Sequence, residues 1–319
     1  MSPVFAVPLI TLGGALLYYG AEWLVRGSAG LARAFGVKPL VVGLTLVAYG
    51  TSAPELAVSL TAIANDGSAI VLGNVIGSCI ANLGLILGLT ALIRPPYVDG
   101  RLIRREVPIL LVSVAAVFAV LANGVIGLVD AILLCGAAAA FTIYTLAASA
   151  REVLPTAEAI LADAPDEVED GKPKLIALTA IGLLLLLAGG YVFVEGSREL
   201  ARWLGISERV IGLTVVALGT SVPELAASLV AAFRGHSALA IGNVVGSNIF
   251  NIFLVLGGVG LVAPIHGSLG ELRLDMLFFV AITIFGALAM RGSRRIGRVE
   301  GGVFLAAYLA FIALAIAGW

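Results

Sequence analysis

Long apolar runs, separated by short charged or Gly- and Pro-containing connections, dominate this chain of 319 residues. A membrane-spanning helix needs roughly 20 apolar residues, and the runs are of about that length. They predict ten spans, near residues 4–32, 39–64, 69–92, 106–122, 125–148, 175–201, 208–233, 238–262, 274–290 and 301–318. This pattern leaves no room for a sizeable soluble domain.

Composition supports a membrane protein. Hydrophobic residues make up 60% of the chain, charged residues make up 12%, and the mean hydropathy is +1.09, whereas about 25% of residues are charged in soluble domains. A net charge of −1 without a basic tract gives no reason to expect a nucleic-acid partner. Cys79 and Cys135 lie in apolar runs, so we expect small buried hydrophobes rather than a disulfide or a metal pair. No Lys or Arg precedes the first run, which predicts a retained first span rather than a cleaved signal peptide.

Two apolar stretches carry polar residues where lipid-facing side chains would be expected, and both stretches occur twice. Residues 43–60, GLTLVAYGTSAPELAVSL, return 169 positions later as residues 212–229, with fourteen of eighteen positions identical. Residues 73–82, GNVIGSCIAN, return at the same offset as residues 242–251, with seven of ten identical. The chain therefore contains an internal duplication.

The duplication divides the chain into a first membrane repeat, 1–149, a linker, 150–173, and a second membrane repeat, 174–319. Five spans per repeat is an odd number, so the second repeat enters the membrane from the opposite side, which is typical of transporters. The connections on one side hold fifteen of the nineteen Lys and Arg residues. The positive-inside rule makes that side cytoplasmic and places both termini outside the cytoplasm. The sequence thus predicts an all-α integral membrane protein of the cell membrane, with ten transmembrane helices in two inverted-topology five-helix repeats.

The linker is the one soluble-looking segment, and it clusters Asp163, Asp166, Glu167, Glu169 and Asp170. A regulatory Ca2+ site is one interpretation. A solvated connection is favoured, because the spacing does not match an EF-hand loop and no residue supplies its central glycine.

A carboxylate within a membrane span is costly and indicates a functional site, and the two copies of the first motif place Glu55 and Glu224 there. The residue before each glutamate is proline, Pro54 or Pro223, which cannot donate a backbone hydrogen bond and clashes with the preceding turn. We therefore expect both helices to break at these points. The backbone carbonyls that a break exposes are tolerated only when they are buried in protein or line a cavity.

The donors around these breaks are all oxygen atoms, which suit hard cations such as Ca2+ and Na+. Serine and asparagine lie four residues apart in each second motif, so they share one helical face. Glycines also lie four residues apart in the same motifs. They either let another helix come close to the site or have only a structural role in helix packing through small residues. The candidate side chains besides the two glutamates are Thr51, Ser52, Ser78, Asn82, Thr220, Ser221, Ser247 and Asn251.

Both motif pairs resemble the alpha repeats of the sodium/calcium exchanger family, a branch of the cation/Ca2+ antiporters. The resemblance covers essentially the whole chain through its motifs G-T-S-x-P-E and G-S-N-x-x-N, and it implies ten helices in two inverted halves. It implies that Glu55 and Glu224 hold Ca2+ together with the backbone carbonyls of Thr51 and Thr220. The Na+ ligands that it implies beside the glutamates are the Ala48 carbonyl, Ser52 and Ser78 in one half and the Ala217 carbonyl, Ser221 and Ser247 in the other, with Asn82 and Asn251 flanking the middle site.

The chain departs from the family pattern at two positions. Cys79 stands where the second repeat has Asn248, and we expect only a change in packing there. Asn251 stands where some members, including potassium-dependent exchangers, have Asp, which argues against potassium co-transport. The charge of the middle site then depends on Glu55 and Glu224.

The charge count suggests a mechanism of exchange. Two ionised glutamates carry −2, which one Ca2+ or two Na+ would neutralise, so the two cargoes should compete. A third Na+, which the resemblance implies, would make each cycle electrogenic, because one net charge would cross the membrane. Moving one charge across a potential of 100 mV changes the free energy by about 2.3 kcal/mol. The resemblance also makes spans one and six the elements that slide to give alternating access. We expect Ca2+, Na+ and lipid as the partners, no cofactor, and a monomer.

Three alternatives remain. A Ca2+/H+ antiporter of the same superfamily would exchange Ca2+ for protons on the same glutamates, but such relatives tend to carry an acidic residue in a G-N-x-x-E arrangement that this chain lacks at Gly73 and Gly242. A cation channel would use the same polar stretches without a counter-ion. An enzyme is least favoured, because His236 and His266 lie in predicted connections and no nucleophile pairs with a base.

Overall fold

The computed structural model describes residues 3–150, 170–206, 217–292 and 294–317. Two π-helical segments interrupt the helices of the first half, Gly43–Val47 between α2 and α3 and Asn82–Leu87 between α5 and α6. The helices of this half are α1 (Pro3–Ala34), α2 (Pro39–Val42), α3 (Ala48–Thr51), α4 (Ala53–Ile63), α5 (Ser68–Ala81), α6 (Gly88–Ile93), α7 (Gly100–Arg104), α8 (Glu106–Val120) and α9 (Leu128–Ala150).

The long helices of the second half come in the same order over the described residues. A π-helical segment, Asn251–Leu256, again joins two helices, α13 and α14. The helices of this half are α10 (Lys172–Trp203), α11 (Ala217–Gly219), α12 (Val222–Phe233), α13 (Ser237–Phe250), α14 (Gly257–Gly260), α15 (Arg273–Gly292) and α16 (Arg298–Ala317).

The prediction of an all-helical membrane protein is confirmed at the level of helices and their apolar character. Over the described ranges, seven helices are long and apolar enough to cross a membrane. A small correction applies to the span predicted near 125–148, since Val125–Ile126 forms a two-residue strand, β1, and the helix begins at Leu128. β1 pairs antiparallel with β2, Ile265–His266. The predicted start of the span at 208 lies outside the described residues.

The helix breaks expected at the two prolines are present. In the first half, α3 ends at Thr51 and α4 begins at Ala53, with Ser52 at φ −80° and ψ 2° between them. In the second half, Ser221 has φ −90° and ψ 2° before α12 begins. Proline cannot donate to the carbonyl four residues earlier, so both apolar helices are interrupted just before their glutamate.

Helices α1 and α10 pack against each other along glycines that recur every seven residues. A Cβ atom on Gly13 would lie 2.5 Å from the backbone nitrogen of Phe193, and one on Gly20 would lie 2.5 Å from that of Leu186. Contacts move towards the start of α10 as they move towards the end of α1, so the two helices are antiparallel. Backbone-to-backbone contact of this kind is possible only without side chains in the seam.

The connections between helices gather on two faces of the molecule. On one face, Val98 donates its backbone N–H to the Arg294 carbonyl (2.8 Å), and the Arg94 guanidinium donates to the Phe233 carbonyl (3.3 Å). On the other face, β1 pairs with β2, and the backbone N–H of His266 donates to Ser68 Oγ (3.1 Å). Each group therefore brings together connections from both halves of the chain.

Most of the acidic linker lies outside the described residues, but its last acidic residue, Asp170, contacts two helices. Asp170 accepts hydrogen bonds from Lys174 Nζ at 2.6 Å and from Arg26 Nη2 at 2.9 Å. The linker is therefore tied at its end to both α1 and α10.

Asp170 yields a prediction about pH. The hydrogen bond from Lys174, supported by the charges of Lys174 and Arg26, holds the pKa of Asp170 below its ordinary 3.8. Because the folded-state pKa is lowered, the contribution of these ion pairs to stability is present above the ordinary pKa and is lost as the pH falls through the lowered value. We expect Asp170→Asn to lower the thermal unfolding temperature at pH 7, and the difference from wild type to shrink as the pH falls below the ordinary pKa of 3.8. A difference that did not depend on pH would contradict this account.

Candidate cation site

Two carboxylates from different halves of the chain are fully buried at the helix breaks. Glu55 lies in the first turn of α4 and Glu224 in the first turn of α12, and both have 0% exposure. Ser221 Oγ donates to Glu55 Oε1 across the two halves, at 3.4 Å. Among the residues that the structure describes, no group lies within hydrogen-bonding geometry of Glu55 Oε2 or of either carboxylate oxygen of Glu224. A buried carboxylate without partners is strongly unfavourable unless a cation or a proton accompanies it.

Other unpaired oxygens lie buried in the same segments. Ser52 and Ser78 are 2% and 1% exposed, and no described residue makes a hydrogen bond to the hydroxyl oxygen of either. Thr51 Oγ1 and Ser247 Oγ approach to 3.5 Å, which joins the first helix break to α13. Unsatisfied buried polar atoms are rare in native proteins and require an explanation such as a bound ion. No basic side chain is among these donors, so the arrangement favours a cation.

Two asparagines, Asn74 and Asn243, each hold the two halves of the chain together through hydrogen bonds, and we call each of these hydrogen-bonded groups a clamp. Asn74 Nδ2 donates to the Glu55 carbonyl (3.1 Å) and to Ser59 Oγ (3.0 Å), while Asn74 Oδ1 accepts from Thr220 Oγ1 (3.3 Å). Each clamp therefore holds the glutamate segment of one repeat against the threonine of the other.

The second clamp repeats the first. Asn243 Nδ2 donates to the Glu224 carbonyl (3.5 Å) and to Ser228 Oγ (3.0 Å), while Asn243 Oδ1 accepts from Thr51 Oγ1 (3.2 Å). Asn243 and Ser228 are buried, with 1% and 0% exposure. The two threonines are thus fixed by their hydroxyl groups, and their backbone carbonyls are held in place as a result.

Asn82 and Asn251 each begin a π-helical segment and are fully buried. π-helical bulges occur frequently at functional sites. Asn82 Nδ2 donates to Asn248 Oδ1 at 3.0 Å, and no described residue bonds to Asn82 Oδ1. Within the described ranges, neither the nitrogen nor the oxygen of the Asn251 carboxamide has a partner. The expectation that Cys79, the counterpart of Asn248, changes only packing is therefore incomplete, because Asn248 makes a hydrogen bond that a thiol cannot reproduce.

Glycines in α13 let the segment that precedes the first helix break approach this helix closely. A Cβ on Gly246 would lie 2.8 Å from the Leu44 carbonyl, and one on Gly242 would meet the Leu40 carbonyl at 2.6 Å. These two glycines serve close helix packing. At the repeat offset, the counterparts of Leu40 and Leu44 fall at positions 209 and 213, which lie outside the described residues.

A cavity of about 220 Å³ reaches the site beside Ser221. Its wall combines the second helix break with α10, through residues that include Phe193, Val194 and Ser197. The cavity runs along the same helix that packs on α1. A shift of α10 would therefore change access to Ser221.

Comparison with known proteins agrees with this arrangement. A model of the sodium/calcium exchanger protein family matches the chain at residues 5–147 and again at residues 174–317. The chain belongs to the sodium/calcium exchanger family. The two matches of this exchanger family also coincide with the two halves of the duplication.

Individual relatives of the exchanger family match along their full length. Sodium/calcium exchanger MaX1 of Methanosarcina acetivorans is 33% identical, over 95% of this chain and 96% of that protein. Inner membrane protein YrbG of Escherichia coli is 32% identical, over 98% and 97%. A solved structure of the sodium-calcium exchanger NCX_Mj, soaked with Na+ and Sr2+, superposes with a TM-score of 0.84 at 35% identity, covering 98% of this chain and 99% of that one.

The structure brings most of the predicted candidates to the two helix breaks, but the sequence interpretation missed the residues that hold them. Asn74, Asn243, Ser59, Ser228 and Asn248 all bond to the predicted residues or to their segments. The first four form pairs at the repeat offset of 169 and lie inside or beside the duplicated motifs. The signal that could have identified these four residues is that they are polar and identical in both copies of the motifs, although none of them is a predicted ligand. Cys135 also differs from expectation, being only partly buried.

Removing a clamping hydroxyl tests this description. We expect Thr51→Val to raise the half-saturating Ca2+ concentration roughly threefold or more, since interhelical hydrogen bonds in membranes contribute about 0.6–1.7 kcal/mol. Valine keeps the shape but leaves Asn243 Oδ1 unpaired. Thr61→Val is the matched control, because the Thr61 hydroxyl is exposed and bonds only to the Ala57 carbonyl of its own helix. Equal Ca2+ titrations for the two variants would argue against the clamp.

Proposed function

We propose that this protein is a secondary active antiporter that exchanges Na+ for Ca2+ across the membrane by alternating access. The observation that carries the proposal is the pair of fully buried glutamates, Glu55 and Glu224, among unpaired oxygen atoms at two helix breaks. Hard cations prefer such all-oxygen surroundings. Membership of the sodium/calcium exchanger family supports the same class of cargo.

The proposed ligands follow the predicted set. Ca2+ binds Glu55 and Glu224 with the backbone carbonyls of Thr51 and Thr220, which the asparagine clamps hold in position. Na+ uses the same glutamates, so the two cargoes exclude each other. The further oxygen donors proposed for Na+ are those of Ala48, Ser52, Ser78, Ala217, Ser221 and Ser247, with Asn82 and Asn251 beside the middle site.

We further propose ten transmembrane helices in two inverted repeats. The antiparallel packing of α1 on α10, which are equivalent at the repeat offset, supports the inversion. The grouping of the connections on two faces supports the alternation of sides, and the distribution of Lys and Arg makes the Arg94 face cytoplasmic. The protein then lies in the cell membrane with both termini outside, and one copy contains a complete site and acts as a monomer.

Charge balance makes the exchange electrogenic if three Na+ move for one Ca2+. Each cycle then transfers one net positive charge, and a potential of 100 mV contributes about 2.3 kcal/mol. Helices α1 and α10 are the proposed sliding elements, because their seam contains glycines in place of interlocking side chains. No resident cofactor is required for this cycle, and the linker is proposed to be a connection rather than a sensor.

The deciding experiment measures Ca2+ uptake into proteoliposomes preloaded with Na+, K+ or choline, at a membrane potential set by an ionophore. We expect uptake only from Na+-loaded vesicles and faster uptake with an inside-positive potential. Uptake driven by an outward proton gradient without Na+ would instead establish Ca2+/H+ antiport. Uptake that needs no counter-ion gradient would establish a channel.

A further inference from the structure

The two asparagines at the starts of the π-helical segments occupy equivalent positions but have different surroundings. Asn82 donates its amide N–H to Asn248 Oδ1 at 3.0 Å, and Asn248 Nδ2 donates in turn to the Cys79 carbonyl at 3.3 Å. Both asparagines of this relay are fully buried. The relay fixes the orientation of the Asn82 carboxamide, because its nitrogen is occupied and its unpaired oxygen must face the other way.

The corresponding relay around Asn251 lacks its second asparagine. Position 79 is the counterpart of Asn248 at the repeat offset, so from the duplication we infer that residue 79 lies beside Asn251, and position 79 is cysteine. The Cys79 thiol lies 3.7 Å from the Asn248 carbonyl, to which it donates. A thiol is a weak acceptor and cannot hold an amide N–H as a carboxamide oxygen does. In agreement with this, both polar atoms of the Asn251 carboxamide are buried without a partner among the described residues.

The orientation of a carboxamide decides how it acts towards a cation. Its oxygen is a ligand for Ca2+ or Na+, whereas its NH2 group repels a cation and donates to carboxylates. A side chain that is already held with its oxygen towards the site binds without the entropy cost of becoming ordered. An unheld side chain must be ordered at every binding event.

We propose that Asn248 is a positioning residue that presents the Asn82 oxygen to the transported cation, and that Cys79 leaves the Asn251 carboxamide free to rotate between its oxygen and its NH2 group. The proposal rests on the proposed cation site but goes beyond it, because it makes the two repeats unequal. The first repeat supplies a preset amide ligand. The second repeat supplies an adjustable one.

The test is a pair of double-mutant cycles on the purified full-length protein, with Ca2+ binding measured by calorimetry in detergent and turnover measured in proteoliposomes. In the first cycle, Asn248→Cys is expected to raise the Kd for Ca2+ roughly fivefold. It should add little once Asn82→Leu is present. In the second cycle, Cys79→Ala and Asn251→Leu should act additively. Additive effects in the first cycle would overturn the proposal.

A variant that is expected to bind Ca2+ more tightly than the wild type provides a second test, because misfolding cannot produce tighter binding. Cys79→Asn supplies the missing acceptor, and we expect it to lower the Kd for Ca2+ by a factor of roughly five and to make Asn251→Leu as costly as Asn82→Leu is in the wild type. An unchanged Kd for Cys79→Asn would overturn the proposal. The experiment distinguishes failure of the proposed cation site from failure of the proposed role of Asn248. Wild-type protein that binds no Ca2+ would refute the cation site. Wild-type protein that binds Ca2+, together with additive effects in the first double-mutant cycle, would refute only the role of Asn248.

Discussion

Replacing either Glu55 or Glu224 by glutamine is expected to reduce Na+-dependent Ca2+ uptake to the background of empty vesicles. Glutamine keeps the size and one oxygen but removes the negative charge that attracts the cation. Both glutamates have 0% exposure, so water cannot make up for the missing charge. A buried cation left with a single carboxylate loses several kcal/mol of stabilisation. Ca2+ binding by calorimetry and uptake into Na+-loaded vesicles should both be lost.

The matched control is Glu271→Gln, which makes the same chemical change at an exposed position. Glu271 Oε2 accepts a hydrogen bond from the backbone N–H of Ser268, and glutamine keeps an oxygen for it. We expect this variant to transport Ca2+ at the wild-type rate. Normal uptake by Glu55→Gln or by Glu224→Gln would refute the assignment of the site.

The second large effect is expected from a side chain in the seam between α1 and α10. A Cβ on Gly20 would lie 2.5 Å from the Leu186 backbone nitrogen and 2.9 Å from the Gly182 carbonyl. Backbone atoms cannot move aside as a flexible side chain can, so Gly20→Val must push the helices apart. Overpacking of this kind costs about 1–3 kcal/mol of stability. We also expect a loss of turnover that is larger than the loss of Ca2+ affinity, because these helices carry no proposed ligand.

Gly14→Val is the control for this change. Gly14 is in the same helix, but nothing lies within 4 Å of a Cβ at that position. The variant should unfold at the wild-type temperature and transport normally. Thermal unfolding in detergent measures stability, calorimetry measures Ca2+ affinity, and uptake into vesicles measures turnover, so the three effects are separated. Wild-type stability and turnover for Gly20→Val would show that the close seam is not required.

The sequence was sufficient for the coarse architecture because two of its signals are dictated by the membrane. Apolar runs must be helical there, since unpaired backbone groups are not tolerated in lipid. The breaks before Glu55 and Glu224 followed from the chemistry of proline. The boundary at Leu128 was missed because residues 125–126 are as apolar as the helix after them, and only their pairing with Ile265–His266 makes them a strand.

The site was predictable in its charged members but not in its hydrogen-bond network. A glutamate within an apolar run is conspicuous, whereas Asn74 and Asn243 look like ordinary small polar residues. Their role depends on which threonine of the opposite half lies beside them, at 3.3 Å and 3.2 Å. The inequality of Asn82 and Asn251 likewise depends on contacts across the two halves. The packing of one repeat against the other determines these contacts, and the local pattern of either repeat does not contain that information.

The position of each glutamate in the first turn of a helix affects the charge of the whole site. Aligned peptide dipoles give a helix N-terminus roughly half of a positive elementary charge. The N-termini of α4 and α12 each offset part of the negative charge of the glutamate in their first turn. The two glutamates therefore present a weaker negative potential than two carboxylates outside a helix N-terminus would. A site with this weaker field binds a divalent ion less tightly, which favours the release that every transport cycle requires.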